Sequence, residues 1–317
     1  MEAGDLRFFP PVENHFVRSR ANGRHYRVQV ATPARTAGDY VPLPVVYAPD
    51  ANLNFGVLLG LARAWQMARP SAPGFILVGI GYPGESPAAG LALRAIDFSF
   101  PGFPDYLQTT APWSDVLDPG DLAKCGARHF LDFLGDELVP LINERYPTDG
   151  QNIYCGHSSA ATFGLYCLRH RPALFSDHIW TSPALCFEGE DAQGVTHVRD
   201  EFGLDLAREL IATWEETAPR RVYLAAGSDE EFDGAARRWR FTSAYYQLAA
   251  MLSNAALPGL ELATDILLKE VHTTVWPTAF LKGIRHVLGT GPRHATVPKL
   301  SPGPTADDRP GGQPWRT

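Results

Sequence analysis

Residues 152–168 read NIYCGHSSAATFGLYCL, a short apolar run that passes through Gly156-His157-Ser158-Ser159-Ala160 into a segment of helical character. The spacing is Gly-x-Ser-x-Gly with the last glycine replaced by alanine. Small residues two before and two after a serine allow a tight strand-to-helix turn, on which the hydroxyl stands clear of the backbone. Ser158 is therefore the candidate nucleophile. A serine that caps an ordinary helix is the competing structural reading.

A serine hydroxyl attacks carbonyls well only when an imidazole takes its proton, and that imidazole needs an orienting carboxylate. In the α/β-hydrolase arrangement the chain order is serine, acid, histidine. Downstream of Ser158, His178 falls on an expected strand, His197 in a polar insert, His286 inside the last helix and His294 in the tail. His272 follows the expected strand Thr264–Lys269 and precedes the final helix, which makes it the candidate base. The loop after strand Arg221–Gly227 offers Asp229, Glu230 and Glu231. Glu230, three residues past the glycine, is the candidate acid, with Asp229 next and Glu231 third. An oxyanion hole needs two backbone N–H donors. Ser159, directly after the nucleophile, supplies one candidate, and Asn52, in the polar turn after strand Pro44–Pro49, supplies the other. The Asn52 amide is also placed to touch substrate, while Asp50 reads as a structural capping carboxylate.

These residues need a scaffold, and the chain spells one out. Apolar, β-branched runs at His25–Ala31, Pro44–Pro49, Phe75–Gly81, Asn152–Gly156, His178–Ser182, Arg221–Gly227 and Thr264–Lys269 have the look of strands buried on both faces. Helical spacing fills Phe55–Ala68 and Cys125–Tyr146, the latter stopped by Pro147. Alternating strands and helices imply right-handed crossovers and a mostly parallel sheet covered on both faces. Two irregular stretches, Ile96–Gly120 and Phe187–Gly203, are expected as loop insertions over the C-terminal edge, where open α/β sheets bind ligands. Aromatics in Ile96–Trp113 and Trp180–Phe187 fit either an aryl or bulky acyl pocket or packing beneath a loop.

Together these landmarks resemble the putative esterase family of α/β hydrolases, which includes esterase D-type and enterochelin esterases. The resemblance spans about residues 25–288. It rests on PVVYAPDAN, LVGIGYP with Arg94-x-x-Asp97-Phe98 downstream, FLDFLGDELVPLINERYP, GHSSAA, LYCLRHRPALF with TSPAL, and KEVHTTVWPTAFLKGIRHVL. It implies the α/β-hydrolase fold, a mostly parallel central sheet with helices on both faces. It also implies hydrolysis of a carboxylic ester through an acyl-enzyme, with His272 at the position of the family's catalytic histidine. Ala51 and Ala160 replace usual glycines, and Ser182–Phe187 lacks a paired tryptophan common after Ser-Pro. Siderophore specificity therefore does not transfer on the motifs alone. The same triad would serve an acyltransferase with an alcohol acceptor, and a silent binding protein is the reading outside enzymology.

Composition bounds the rest. The chain has 317 residues, with 28 Lys plus Arg against 35 Asp plus Glu, a net charge of −7. That balance excludes a general nucleic-acid binder, which needs a basic face. A small-molecule ester is the expected partner, and neither metal nor organic cofactor is expected. No run reaches the roughly 18 apolar residues of a membrane span. The N-terminus lacks the apolar core of a signal peptide, and none of the four cysteines sits in a CxxC pair. A soluble, cytoplasmic protein with reduced thiols is expected. The expected organisation is an N-terminal extension (1–24), one catalytic domain (25–288) and a Pro/Gly-rich disordered tail (289–317).

Overall fold

The computed structural model describes residues 12–33, 41–68, 74–84, 87–101, 125–190, 196–215, 218–234 and 236–289. Most of the expected insertion Ile96–Gly120, the centre of the Phe187–Gly203 insert and the expected tail beyond Gly289 lie outside these residues. His294 falls in that tail, and the side chain of His197 is also outside the description.

Eight strands form one sheet. They are β1 (Glu13–Arg18), β2 (His25–Ala31), β3 (Leu43–Pro49), β4 (Ile76–Gly81), β5 (Thr148–His157), β6 (Asp177–Thr181), β9 (Arg220–Gly227) and β10 (Leu260–Leu267), in the order β1-β2-β4-β3-β5-β6-β9-β10. β1–β2 and β2–β4 pair antiparallel, and every other pair is parallel. The expected N-terminal extension thus supplies an edge strand, whose alternating half-exposed residues hide it from a search for continuous apolar runs. β7 (Phe187–Glu190) and β8 (Thr196–Asp200) form a separate hairpin where an irregular insert was expected.

Helices cover both faces because neighbouring residues of each parallel strand are both apolar. On one face Val46, Ala48, Ile153, Cys155, Ile179 and Ala225 pack beneath α1 (Ala51–Ala68) and α8 (Val275–Leu288). On the other, Tyr47, Tyr154, Trp180 and Leu224 pack against the remaining helices. These begin with α2 (Pro87–Phe98), then α3 (Ala127–Phe133) running through a π-helical turn at Leu134–Leu138 into α4 (Val139–Arg145). α5 (Ser159–His170), α6 (Phe202–Ala212) and α7 (Phe241–Ala255) complete that layer.

The order places β3 beside both β4 and β5, with Tyr47 opposite Val78 on one side and Tyr154 on the other. This is the point where the winding reverses, and helices leave for opposite faces. A crevice opens there at the carboxyl ends of the strands. Asp50 and Ser158 sit one residue past β3 and β5, on the two sides of that crevice.

Candidate active site

Three non-glycine residues with positive φ stand directly after three neighbouring strands of this edge: Asp50 (63°), Ser158 (59°) and Ser182 (46°). Such conformations are strained for L-residues and persist only where the surroundings over-determine them. At Ser158 the surroundings are explicit. Its N–H donates to the Thr181 carbonyl on β6, and its own carbonyl accepts from Ala161 and Thr162 in the first turn of α5. The turn is tight enough that a Cβ on Gly156 would stand 2.5 Å from the Ala160 carbonyl oxygen. Glycine is required at 156, whereas Ala160 is accommodated with its methyl buried.

Glu230 and His272 meet directly. Glu230 lies in a 3-10 turn past β9 and is fully buried, and its Oε2 is 2.7 Å from His272 Nδ1. The other carboxylate oxygen, Oε1, accepts from the Gly227 N–H and the Ser182 hydroxyl, both at 2.5 Å. Three donors on one buried carboxylate fix its orientation. With Nδ1–H directed at Glu230, His272 Nε2 carries the free lone pair. Asp229 is turned elsewhere: its Oδ1 accepts from the adjacent Ser228 hydroxyl. Glu231 accepts from the Ser243 N–H and pairs with Arg240. Of the three carboxylates, only Glu230 is bonded to the histidine.

The residue before Ser158 reaches this pair: the His157 ring lies 4.4 Å from the His272 ring. Ser182, which positions Glu230, also starts the segment whose Ala184 N–H donates to the Ser158 carbonyl at 3.4 Å. Ser182 was not singled out in the sequence, although a Ser-Pro pair at a strand end was a readable signal. His178 and His286 are remote from this pair. His178 is buried within β6, with burial pushing it down to about 3, and His286 sits in α8.

Ser159 and Asn52 each lie at the amino end of a helix, where the first N–H groups have no intrahelical acceptor. Asn52 was expected in a turn but already belongs to α1, which starts at Ala51. Its amide is not directed at substrate: Oδ1 accepts from the Tyr82 N–H at 2.6 Å, and Nδ2 donates to the Tyr82 carbonyl at 2.8 Å. That two-point clamp ties the β3 turn to the end of β4. Asp50 caps α1 through its backbone carbonyl rather than its side chain, accepting from Leu53 and Asn54. Its carboxylate instead pairs with Arg94 of α2 at 2.6 Å, with 4% and 17% of the two side chains exposed. Asp97, one turn further along α2, is buried and accepts from Arg24, Tyr26 and Tyr82. Burial pushes its carboxyl up to about 6, against the pull of Arg24 and the two tyrosines. The Arg-x-x-Asp spacing therefore pins α2 to the ends of β3 and β4. Beside Asn52, Tyr82 and Arg94 a cleft of about 450 Å³ opens at the sheet edge.

Among the described residues no group of three or more His, Cys, Asp or Glu side chains is placed to hold a metal ion, and no helix is long and apolar enough to cross a membrane. The arrangement can carry out acyl transfer: a hydroxyl on a strained turn, an imidazole oriented by a buried carboxylate, and two helix amino ends facing one crevice.

Residues 114–259 match the Putative esterase family model. The chain is 25% identical over 298 residues to the siderophore triacetylfusarinine C esterase of Aspergillus fumigatus, an alignment that covers 90% of this chain and 96% of that protein. It is 27% identical to the siderophore enterobactin esterase of Emericella nidulans over 143 residues, 44% of this chain and 46% of that one. Among solved structures, the siderophore hydrolase EstA from Aspergillus nidulans superposes with a TM-score of 0.71 at 21% identity, covering 90% and 96% of the two chains. The BES protein from Bacillus cereus does so with a TM-score of 0.68 at 23% identity, covering 87% and 94%. With the strand order, the elbow and the matched segment in agreement, the chain has the α/β-hydrolase fold and is a carboxylic-ester hydrolase similar, over residues 114–259, to the putative esterase family.

Proposed function

We propose that Ser158, His272 and Glu230 form the catalytic triad of this esterase, with the N–H groups of Asn52 and Ser159 as its oxyanion hole. The observation that carries the reading is the 2.7 Å contact between buried Glu230 and His272 Nδ1 at the edge where Ser158 is held at φ 59°. His272 Nε2 accepts the Ser158 proton as Oγ attacks the carbonyl carbon, and Glu230 stabilises the imidazolium through Nδ1–H. The carbonyl π electrons move to oxygen, and the two backbone donors stabilise that charge. Collapse expels the alcohol, which takes its proton from His272 Nε2, and leaves an acyl-Ser158 ester. Water, deprotonated by His272, attacks that ester, and a second collapse returns the proton to Ser158 and releases the acid.

The substrate is proposed to be a small-molecule ester of the siderophore class, because curated relatives bearing that activity align with this chain. A cytoplasmic location suits the cysteines, all four of which carry free thiols. The test is labelling with a fluorophosphonate, followed by turnover of a panel holding a siderophore trilactone, aryl acetates and alkyl esters of graded length. Ser158→Ala should abolish both labelling and turnover, and labelling that persists in this variant sinks the assignment. Preference for simple alkyl esters over the trilactone would reject the substrate class while leaving the triad standing.

A further inference from the structure

His272 is held by more than its carboxylate. The Phe241 ring stacks on the imidazole with centroids 3.9 Å apart and planes inclined by 18°, and the His157 ring lies 4.4 Å away at 32°. Two rings this close and this near to parallel would overlap each other on one face, so they occupy opposite faces. The stack continues outward, to Trp276 at 5.5 Å from His157 and to Trp239 at 6.0 Å from Phe241. Both ends are anchored in the core. Phe241 opens α7 directly after Arg240, whose φ is 49°, and Trp276 lies in the first turn of α8. The backbone carbonyl of His272 also faces the His157 ring, a second polar approach between the serine side and the histidine loop. The His157 Nε2 is buried without a partner.

Resting on the triad reading above, we infer that Phe241 and His157 are positioning residues that clamp the His272 imidazole between them. Phe241 stabilises the imidazolium formed in the reaction, and His157 holds the loop in register with Ser158. A cation over an aromatic face is attracted by the ring quadrupole, and the attraction strengthens where water is excluded. Only 18% of the His272 side chain is exposed. The other face requires a ring without charge. Burial, then the neighbouring His272 and Arg94, hold His157 well below the usual histidine range, so the serine side stays neutral while His272 cycles. The remaining charges near the clamp are accounted for: Glu230 bonds His272 itself, and Arg240 beside Phe241 is engaged by Glu188 and Glu231.

The test compares Phe241→Leu, Phe241→Trp and His157→Phe in the full chain, with p-nitrophenyl acetate as the probe. Phe241→Leu should lower kcat by about 3- to 10-fold with KM within twofold, and should move the acidic limb of kcat/KM to lower pH. Phe241→Trp, which keeps a stronger π face, should restore kcat and the limb. His157→Phe keeps a ring but loses the polar approach to the loop carbonyl, so kcat should fall with the limb unmoved. A second readout needs no turnover: in the Ser158→Ala chain, NMR titration of the His272 ring should give a lower midpoint with Leu at 241 and one at or above the parent's with Trp. Should the Leu variant fail to fold, the Trp comparison carries the test, and a midpoint below the parent's overturns the clamp. Phe241→Leu indistinguishable from wild type in kcat and limb overturns it too. Absence of fluorophosphonate labelling at Ser158 would reject the triad reading instead, and the NMR series would still decide the clamp.

Discussion

Glu230 Oε2 lies 2.7 Å from His272 Nδ1, although 42 residues separate them in the chain. Parallel pairing of β9 with β10 produces this closeness, since Gly227 aligns with Leu267 and the loops beyond both strands leave the same edge. Gly227 makes the final approach available, because a Cβ there would run into the Glu270 carbonyl. The separation in sequence is bridged entirely by strand register.

Glu230→Gln keeps the size of the side chain but turns an acceptor toward His272 into an amide that can present N–H groups. It should lower kcat by roughly 10²- to 10⁴-fold with a small effect on KM, through the wrong imidazole tautomer. Steady-state turnover of an aryl ester measures this. A loss smaller than tenfold would remove Glu230 from the role and bring Asp229 forward.

The elbow predicts an asymmetry between its two small residues. Gly156→Ala places a methyl 2.5 Å from the Ala160 carbonyl and should destabilise the fold by about 1–3 kcal/mol through overpacking. Ala160→Gly should leave Ser158 labelling intact, since it only restores the commoner motif. Urea midpoints and fluorophosphonate labelling of the two variants separate these outcomes; equal stabilities would contradict the packing argument.

Arg94→Met removes the partner of a carboxylate that is 4% exposed. Leaving Asp50 unpaired should cost about 3–5 kcal/mol, and the double variant Arg94→Met/Asp50→Asn should recover much of it. Because the Asp50 carbonyl caps the helix end that carries Asn52, turnover should fall in the single variant beyond any loss of folded protein. Chemical denaturation and active-site titration together measure both effects.

His178 predicts part of the acid sensitivity. Burial holds it down to about 3 in the folded chain, against about 6.5 when unfolded. Between those values the unfolded state binds a proton that the folded state refuses. Stability from this group is therefore full above about pH 6.5 and declines by about 1.4 kcal/mol per pH unit as pH falls toward 3. His178→Phe should flatten this part of the curve, as read from urea midpoints at pH 7, 5.5 and 4.5. An unchanged slope would rule the histidine out as the cause.

Much of the fold was legible because buried parallel strands are continuous apolar runs. Each expected run overlaps an observed strand, and five of the seven agree at both ends to within one residue. β10 was misplaced at both ends, and the reason is exposure. It is the edge strand with mostly half-buried residues, and its end is set by Leu268, 78% exposed, and by Lys269 at φ 62°. β1 escaped notice for the same reason. The hairpin β7–β8 replaced an expected loop because its polar residues pair through backbone rather than through an apolar pattern.

What the sequence determined by itself was local: the elbow, a histidine between the last strand and last helix, and three adjacent carboxylates after β9. Those depend on residue size and hydrogen-bonding type at fixed spacing, which a chain carries in one dimension. Tertiary structure alone joined Glu230 to His272, with the Ser182 hydroxyl and the Gly227 N–H converging on its second oxygen. It alone placed Phe241 and His157 on the faces of His272, directed the Asn52 amide into Tyr82 and joined Asp50 to Arg94. Each of those contacts joins residues from different elements. Their direction depends on strand register and helix packing, which no spacing along the chain encodes.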